Sequence, residues 1–111
     1  MQTLLLDYER IVAGLSAPVA QVVALSVYQT VGSTNDVVRD HANSDVLAGV
    51  VVVAEEQTHG RGRRGRAWHS PAGGNLYLSM GWEFDLALER LSGLSLAVRA
   101  MLAESFSREF N

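Results

Sequence analysis

Apolar residues form several periodic stretches along this chain, and each stretch predicts an element of secondary structure. Residues 4–15 place apolar side chains at helical spacing and predict a short amphipathic helix, with Asp7 near its start. Residues 16–18 should end that helix, because the residue before a proline disfavours helical geometry. The β-branched residues of 22–31 predict a strand, and the apolar run at 49–56 predicts a central, buried strand.

Polar residues interrupt the pattern immediately after the first predicted strand. Gly32 is followed by Ser33 and Thr34, which are good N-cap residues, and Asp36 lies three positions after Ser33, as in a capping box. We therefore predict a helix that begins here and ends in a turn at residues 43–45. The same junction exposes N–H and hydroxyl groups, so helix capping and ligand binding both remain open.

The remaining pattern predicts one more strand and a long helix. A turn at residues 71–74 precedes an alternating stretch at 75–82, which is typical of a strand. Its faces differ in polarity, with Leu76, Leu78 and Met80 on one and Tyr77 and Ser79 on the other. Apolar residues then recur at helical spacing between residues 92 and 110. Together these elements indicate an α/β fold.

Positive charge is concentrated in residues 60–66, which we call the arginine segment. It holds four of the nine Lys and Arg residues, all of them arginines, interleaved with glycines. Because like charges repel and glycine loses the most entropy on ordering, we expect the loop 58–68 to be mobile without a ligand. We predict no acidic partner nearby beyond Glu55 and Glu56. Glycine N–H groups and guanidinium groups can cradle a phosphate or carboxylate, although a solvated basic loop is the simpler alternative.

The overall composition excludes several classes of protein. The chain is 48% hydrophobic and 19% charged, as in globular domains, and it has no cysteine for disulfides, thiolate metal sites or nucleophilic catalysis. Its longest apolar run, 47–54, is too short to span a bilayer. Residues 1–10 lack the basic start of a signal peptide, so we expect a cytoplasmic protein. Outside the arginine segment, the twelve acidic residues outnumber the remaining arginines. The resulting negative charge disfavours a nucleic-acid partner.

Common site motifs do not account for the arginine segment. No Gly-Lys-Ser/Thr follows its glycines, as a P-loop requires, and Arg63 and Arg64 would obstruct the helix start of a dinucleotide fingerprint. The three histidines are not spaced as metal ligands, so we predict no metal site. Trp68 is either a packing or lid residue or a residue that lies against a ligand.

Several blocks of residues, taken together, resemble biotin protein ligases: Ser33-Thr34-Asn35, Glu55-Glu56-Gln57, the arginine segment with Trp68, Ser70-Pro71, and Asn75-Leu76-Tyr77-Leu78-Ser79. They occur in the family's order between about residues 22 and 106, and the arginine segment is the most specific. Lipoate ligases share the fold in broad terms, but the arginine segment argues against them. The resemblance implies part of a class II synthetase-like catalytic domain, with a mixed sheet and helices packed on one face.

The resemblance also implies a reaction and a binding site for biotin. Such enzymes activate biotin with ATP and Mg²⁺ to biotinyl-AMP, and then transfer biotin to a lysine of a biotin carrier protein. By the same resemblance, Ser33, Thr34 and Gln57 would hold the polar ring of biotin. Gly60 and Arg61 would contact its carboxylate end and the phosphate.

The remaining site residues implied by the resemblance handle the nucleotide. Arg61, Arg63 and Arg66 would be the catalytic cations, with Arg63 retaining the adenylate and Arg66 contacting the phosphate region. Trp68 and Asn75 would lie beside the nucleotide. The chemistry agrees with cations in these roles, because a carboxylate that attacks the α-phosphorus of ATP brings two anions together.

One departure from the family limits what we expect of this chain. The family has an essential lysine in a downstream Lys-Trp-Pro-Asn-Asp segment, whereas this sequence contains no lysine. We therefore expect residues 1–111 to be the N-terminal part of a catalytic domain, with 1–18 as a leading helix and linker and 22–111 as sheet, ligand loop and helix. We expect it to be inactive alone and to form dimers or aggregates through an unpaired strand edge. The alternatives are a non-catalytic biotin- or adenylate-binding module and a small RNA-binding protein.

Overall fold

A computed structural model describes residues 6–44, 48–83 and 93–110. Its elements, in chain order, are α1 (Tyr8–Ala13), α2 (Ala17–Val22), β1 (Ala24–Val31), α3 (Thr34–Ser44), β2 (Val50–Gln57), a 3-10 turn (Arg63–Gly65), β3 (Tyr77–Gly81) and α4 (Leu94–Phe110).

The three strands form one mixed sheet in the order β1-β2-β3. Strand β2 is parallel to β1 and antiparallel to β3, and Val52 lies opposite Ser26 on one side and Ser79 on the other. Residues Val50 to Ala54 are all buried, and Val52 is completely so. The continuous apolar run is therefore the central strand, because a strand with neighbours on both sides and cover on both faces needs no polar face. The expected α/β fold with a mixed sheet is confirmed.

Helix α3 connects the two parallel strands and packs against β2 and β3. The hydroxyl oxygen of Thr34, at its first residue, lies 2.7 Å from the Ser79 hydroxyl oxygen. The helix therefore covers the face of β3 that carries Ser79, which is buried, while Leu78 and Met80 remain 51% and 60% exposed. The predicted alternation along this strand is confirmed, and its polar face is the one that lies under the helix.

The start of the chain differs from the prediction. Helix α1 is capped by Asp7, whose carboxylate accepts a hydrogen bond from the Arg10 N–H at 3.3 Å, but it ends at Ala13 with Gly14 as its C-cap. Residues 16–18 do not simply end a helix. Ser16 is the N-cap of α2 and the proline falls in its first turn, where a missing N–H breaks no helical bond. The strand consequently begins at Ala24, two residues later than predicted.

Two other boundaries were also misplaced or fall outside the described residues. Helix α3 continues through Ser44, so the turn predicted at 43–45 is wrong for its first two residues, and Asp45 lies outside the described ranges. The final helix is confirmed from Leu94, whereas its predicted start at Ser92 is not described. Its large apolar side chains remain exposed, from 38% at Leu94 to 71% at Leu96. Within the three described ranges, no helix combines the length and hydropathy needed to cross a bilayer.

Candidate functional site

The topology brings three chain segments to one edge of the sheet. The carboxyl ends of parallel strands lie at the same edge, so Ser33 and Thr34, which follow β1, meet Gln57, which ends β2. The antiparallel β3 begins at this edge with Tyr77. An open pocket of about 570 Å³ lies between them. It is lined by Ser33, Thr34, Asn35, Gln57, Arg61, Gly62, Trp68, Leu76, Tyr77, Leu78 and Ser79.

Thr34 is the centre of a hydrogen-bond network at the base of this pocket. Its backbone N–H donates to the Gln57 side-chain oxygen at 2.8 Å, and its hydroxyl lies 3.1 Å from the same oxygen. The Thr34 and Ser79 side chains are both buried, and their hydroxyls are in hydrogen-bond contact. Because buried polar groups are costly to leave unpaired, these contacts hold α3, β2 and β3 in a fixed relative position.

The network extends in both directions from Thr34. Ser79 also donates to the Asn35 side-chain oxygen. On the other side, the Gln57 amide donates to the Ser70 hydroxyl at 3.2 Å, and Ser70 in turn contacts the carbonyl oxygen of Trp68 at 3.3 Å. We call these five hydrogen-bonded residues, Thr34, Asn35, Gln57, Ser70 and Ser79, the polar floor.

The arginine segment is anchored directly to the polar floor at Gly60. This glycine is buried, and a Cβ atom there would lie 2.5 Å from the Ser70 hydroxyl and 2.9 Å from the Trp68 carbonyl. The Trp68 N–H donates to the Gly60 carbonyl at 2.8 Å, and the Gly62 N–H donates to the Arg66 carbonyl at 2.6 Å. The segment is therefore a narrow hairpin whose root is packed, and the expected mobility of the loop 58–68 stays a prediction.

The tip of this hairpin adopts left-handed backbone geometry. Arg64 has φ 61° and Gly65 has φ 73°, within the short 3-10 turn at Arg63–Gly65. Only glycine adopts such angles without strain, so the positive φ at this position favours Gly65. A Cβ atom at Gly65 would meet nothing within 4 Å, in contrast to Gly60.

An acidic residue outside the arginine segment neutralises its first arginine. The Arg61 guanidinium forms an ion pair with the carboxylate of Asp36, in the first turn of α3. The prediction that Glu55 and Glu56 are the only acids near the segment was therefore wrong. Twenty-five positions separate Arg61 from Asp36 in the sequence, and the two residues meet only because α3 begins beside the end of β2.

A second hollow, also of about 570 Å³, shares Gly62 and Trp68 with the first pocket. Gly62, Arg64, Arg66, Ala67 and Trp68 line it. Trp68 is 62% exposed and lines both cavities, so it is not buried as a core residue. Burial therefore does not support its packing alternative, and its large apolar surface is accessible to a ligand.

Apart from Asn75, the predicted site residues fall into three groups by position. Ser33, Thr34, Gln57, Arg61 and Trp68 line the first pocket, and Gly60 lies beneath it. Arg66 lines the second hollow instead. The side chain of Arg63 lies outside the described part of the molecule.

Asn75 is the predicted site residue that the structure places apart from these cavities. Its amide donates to the Tyr77 hydroxyl at 3.4 Å, and that hydroxyl donates to the Pro71 carbonyl at 3.1 Å. These contacts fix the turn before β3. A role for Asn75 beside a nucleotide therefore stays a prediction.

Sequence reasoning did not assign Asn35, Tyr77 or Ser79 to the site, although they lie in the blocks on which the family resemblance rests. A signal for two of them was available: the alternation of β3 places Tyr77 and Ser79 on one face. Among the described residues, no group of three or more His, Asp or Glu side chains is arranged to hold a metal ion.

Comparison with known proteins finds matches over most of the chain. Residues 27–106 match the model of the Biotin/lipoate A/B protein ligase family. The bifunctional ligase/repressor BirA of Salmonella typhimurium is 42% identical over 100 residues, which cover 90% of this chain and 29% of that protein. The biotin–[acetyl-CoA-carboxylase] ligase of Mycobacterium tuberculosis is 39% identical over 83 residues, covering 73% and 31%.

One solved structure is also similar to part of this chain. The biotin protein ligase of Leishmania major, crystallised with biotinyl-5-AMP, is 44% identical with a TM-score of 0.44, covering 49% of this chain and 22% of that one. The chain spans less than a third of the two curated relatives described above. The family assignment rests on the matched residues, which include the ends of both parallel strands and the whole arginine segment. The chain belongs to the Biotin/lipoate A/B protein ligase family.

Proposed function

We propose that the pocket above the polar floor binds biotin, and that the arginine segment binds the phosphate of biotinyl-AMP, as part of a biotin–protein ligase. The observation that carries the proposal is the convergence of Ser33, Thr34, Gln57, Arg61 and Trp68 on one pocket. The family model covers ligases of both biotin and lipoate, and the Mycobacterium tuberculosis relative is named as a biotin ligase.

The composition of the pocket suits the chemistry of biotin. The ring of biotin is a urea, with N–H donors and a carbonyl acceptor, and the polar floor offers hydroxyl and amide groups of both kinds. Apolar side chains of Leu76, Leu78 and Trp68 complete the wall, where they suit the hydrocarbon tail. Directed polar groups beside apolar side chains are typical of small-molecule sites.

The arginines suit the reaction that follows. A carboxylate oxygen of biotin forms a bond to the α-phosphorus of ATP, and the bond to pyrophosphate breaks. Arg61 would neutralise the carboxylate, while Arg63 and Arg66 would neutralise the phosphate as charge develops there. The lysine amine of the carrier protein then attacks the mixed anhydride, and AMP leaves. Trp68, which lines both cavities, would shield the anhydride from water.

Mg²⁺ enters this proposal only as the ion that accompanies ATP. The described residues provide no cluster of carboxylates for it. We therefore assign no step to a metal held by this part of the chain. Biotin, ATP and a carrier protein are the proposed ligands, and a cytoplasmic location and a homodimer stay predictions.

One experiment tests both binding and activity. Biotin is titrated into the purified 111-residue chain by calorimetry, and the chain is then mixed with biotin, ATP, magnesium and a carrier domain. We expect weak binding of biotin and no added mass on the carrier, because the chain has no lysine to complete the cationic site. Arg61→Ala should weaken biotin binding about ten-fold, since a hydrogen bond to a charged group contributes about 1.5–3 kcal/mol.

Two controls sharpen that experiment. Arg99→Ala changes an exposed arginine of α4, outside both cavities, and should leave biotin binding unchanged. A full-length relative shows that the carrier can be modified. Absence of biotin binding would contradict the proposal. Stoichiometric biotinylation by the chain, with host ligase excluded, would show that a lysine is dispensable and that our account of the cations is wrong.

A second candidate function is favoured by the same absence of lysine. The chain would then be a non-catalytic module that binds biotin or its adenylate. Pyrophosphate release on mixing with biotin and ATP would exclude this alternative, because only a ligase site forms the anhydride, whereas the absence of release is expected under both. RNA binding is the weakest alternative, because the body of the protein is acidic. In addition, Trp68 is the single exposed aromatic residue described beside the arginine segment, whereas RNA-binding surfaces stack bases on several.

A further inference from the structure

We infer that Asp36 is the resting counter-ion of Arg61 and that an anionic ligand must displace it to bind. The inference rests on the proposed function in one respect, namely that a carboxylate or phosphate binds at Arg61. It assigns to Asp36 the role of a competing anion, which no motif in the sequence indicates.

The geometry places the pair at the rim of the pocket. Asp36 lies in the first turn of α3, directly after Ser33, Thr34 and Asn35, which line the pocket, and its Oδ1 contacts Nη2 of Arg61. The guanidinium therefore stays beside the pocket before any ligand arrives. The two side chains are 44% and 40% exposed, so a ligand has direct access to both.

A second cation makes the exchange of partners possible. Nη1 of Arg39, one turn along α3, lies 3.9 Å from the same oxygen of Asp36. When Arg61 moves to a ligand, Asp36 keeps a positive neighbour and its charge is not left isolated. Since exposed ion pairs are weak, a ligand that offers a bidentate anion competes successfully with Asp36.

This arrangement discriminates between ligands by their charge. A neutral ligand does not need the guanidinium and leaves the pair intact. An anionic ligand must compete with Asp36, so removal of that carboxylate should strengthen the binding of anions alone. Asp36→Asn preserves the size of the side chain and removes its charge, and Asp36→Glu restores the charge.

The binding arm of the test uses biotin and its uncharged amide. We expect Asp36→Asn to tighten biotin binding about two- to five-fold and to leave the amide unchanged, while Asp36→Glu stays close to the original chain. Arg39→Gln should weaken biotin binding, because Asp36 then holds Arg61 alone, and it should have no effect when combined with Asp36→Asn. An equal change for both ligands, or weaker biotin binding in Asp36→Asn, would overturn the inference.

A second arm does not depend on biotin. Phenylglyoxal modifies accessible arginines, and peptide mass spectrometry measures the rate at each one. Asp36→Asn should increase the rate at Arg61 but not at Arg99, and pyrophosphate alone should protect Arg61 more strongly in the variant. If biotin does not bind while these changes appear, the proposed function fails and the inference stands. Unchanged reactivity and unchanged protection of Arg61 would refute the inference, whatever biotin does.

Discussion

The polar floor and the arginine segment meet at the end of β2, but different kinds of contact hold them in place. In the polar floor, hydrogen bonds join residues of three elements, such as the 2.8 Å bond from the Thr34 N–H to Gln57, and Thr34, Ser70 and Ser79 are buried. In the arginine segment, backbone bonds hold the root, and Arg64 and Arg66 are exposed. We propose a division of labour, in which the hydrogen-bonded part recognises the shape and polarity of a ligand while the exposed part neutralises its charge.

Gly60 is where the two regions join, so a substitution there should have the largest effect. The Cβ of Gly60→Ala would collide with Ser70 and with the Trp68 backbone, and relief requires the floor or the hairpin to move. We expect a loss of about 2–3 kcal/mol in the free energy of unfolding, and biotin binding weakened by more than about ten-fold. Denaturant unfolding and calorimetry measure both effects.

Gly74→Ala is the matched control, because a Cβ atom at Gly74 meets nothing within 4 Å and its φ is not positive. It should change neither stability nor binding. If Gly60→Ala behaved like this control, the root of the arginine segment would not be packed as described, and the contrast between the two regions would disappear.

Thr34→Val tests the polar floor alone. Valine keeps the shape of threonine but cannot contact Gln57 and Ser79 through a hydroxyl, while the backbone N–H bond to Gln57 remains. We expect a loss of about 1–2 kcal/mol in the free energy of unfolding. Thr34→Ser retains the hydroxyl and should recover most of that loss in the same denaturant experiment. Equal stability of the valine and serine variants would argue against a hydrogen-bonded floor.

Gly65→Ala tests the tip of the arginine segment and should have the smallest effect. The side chain has room, but the residue has φ 73°, which disfavours any Cβ. The expected loss is about 1 kcal/mol or less, because an exposed tip can relax. Unfolding measurements beside Gly74→Ala isolate the backbone contribution. A loss as large as that of Gly60→Ala would mean that tip and root are equally constrained.

Local patterns were sufficient where the structure depends on neighbours in sequence. The unbroken apolar run of β2, the start of α3 at Thr34 and the alternation of β3 were all predictable, and the order of the motif blocks indicated which residues share the pocket. The second helix, α2, was missed because a proline after Ser16 is compatible with both the end of one helix and the start of another.

Long-range contacts were not predictable in this way. The residues around Asp36 in the sequence do not indicate its contact with Arg61. They are compatible with any acidic residue in the first turn of a helix. The burial of the polar face of β3 also depends on where α3 packs, which alternation alone does not specify. In both cases the contacting residues become neighbours only when the chain folds, so a short stretch of sequence does not indicate the contact.

The packed root at Gly60 has a kinetic consequence for the residue that follows it. Arg61 is attached to a fixed point beside the pocket, so its guanidinium does not have to reach a bound ligand by diffusion from solution. A short flexible tether holds a group at an effective concentration in the millimolar range. Guanidinium supplied from solution would have to reach about that concentration to stand in for the Arg61 side chain. The hairpin therefore keeps the positive charge of Arg61 permanently beside the pocket through its covalent attachment.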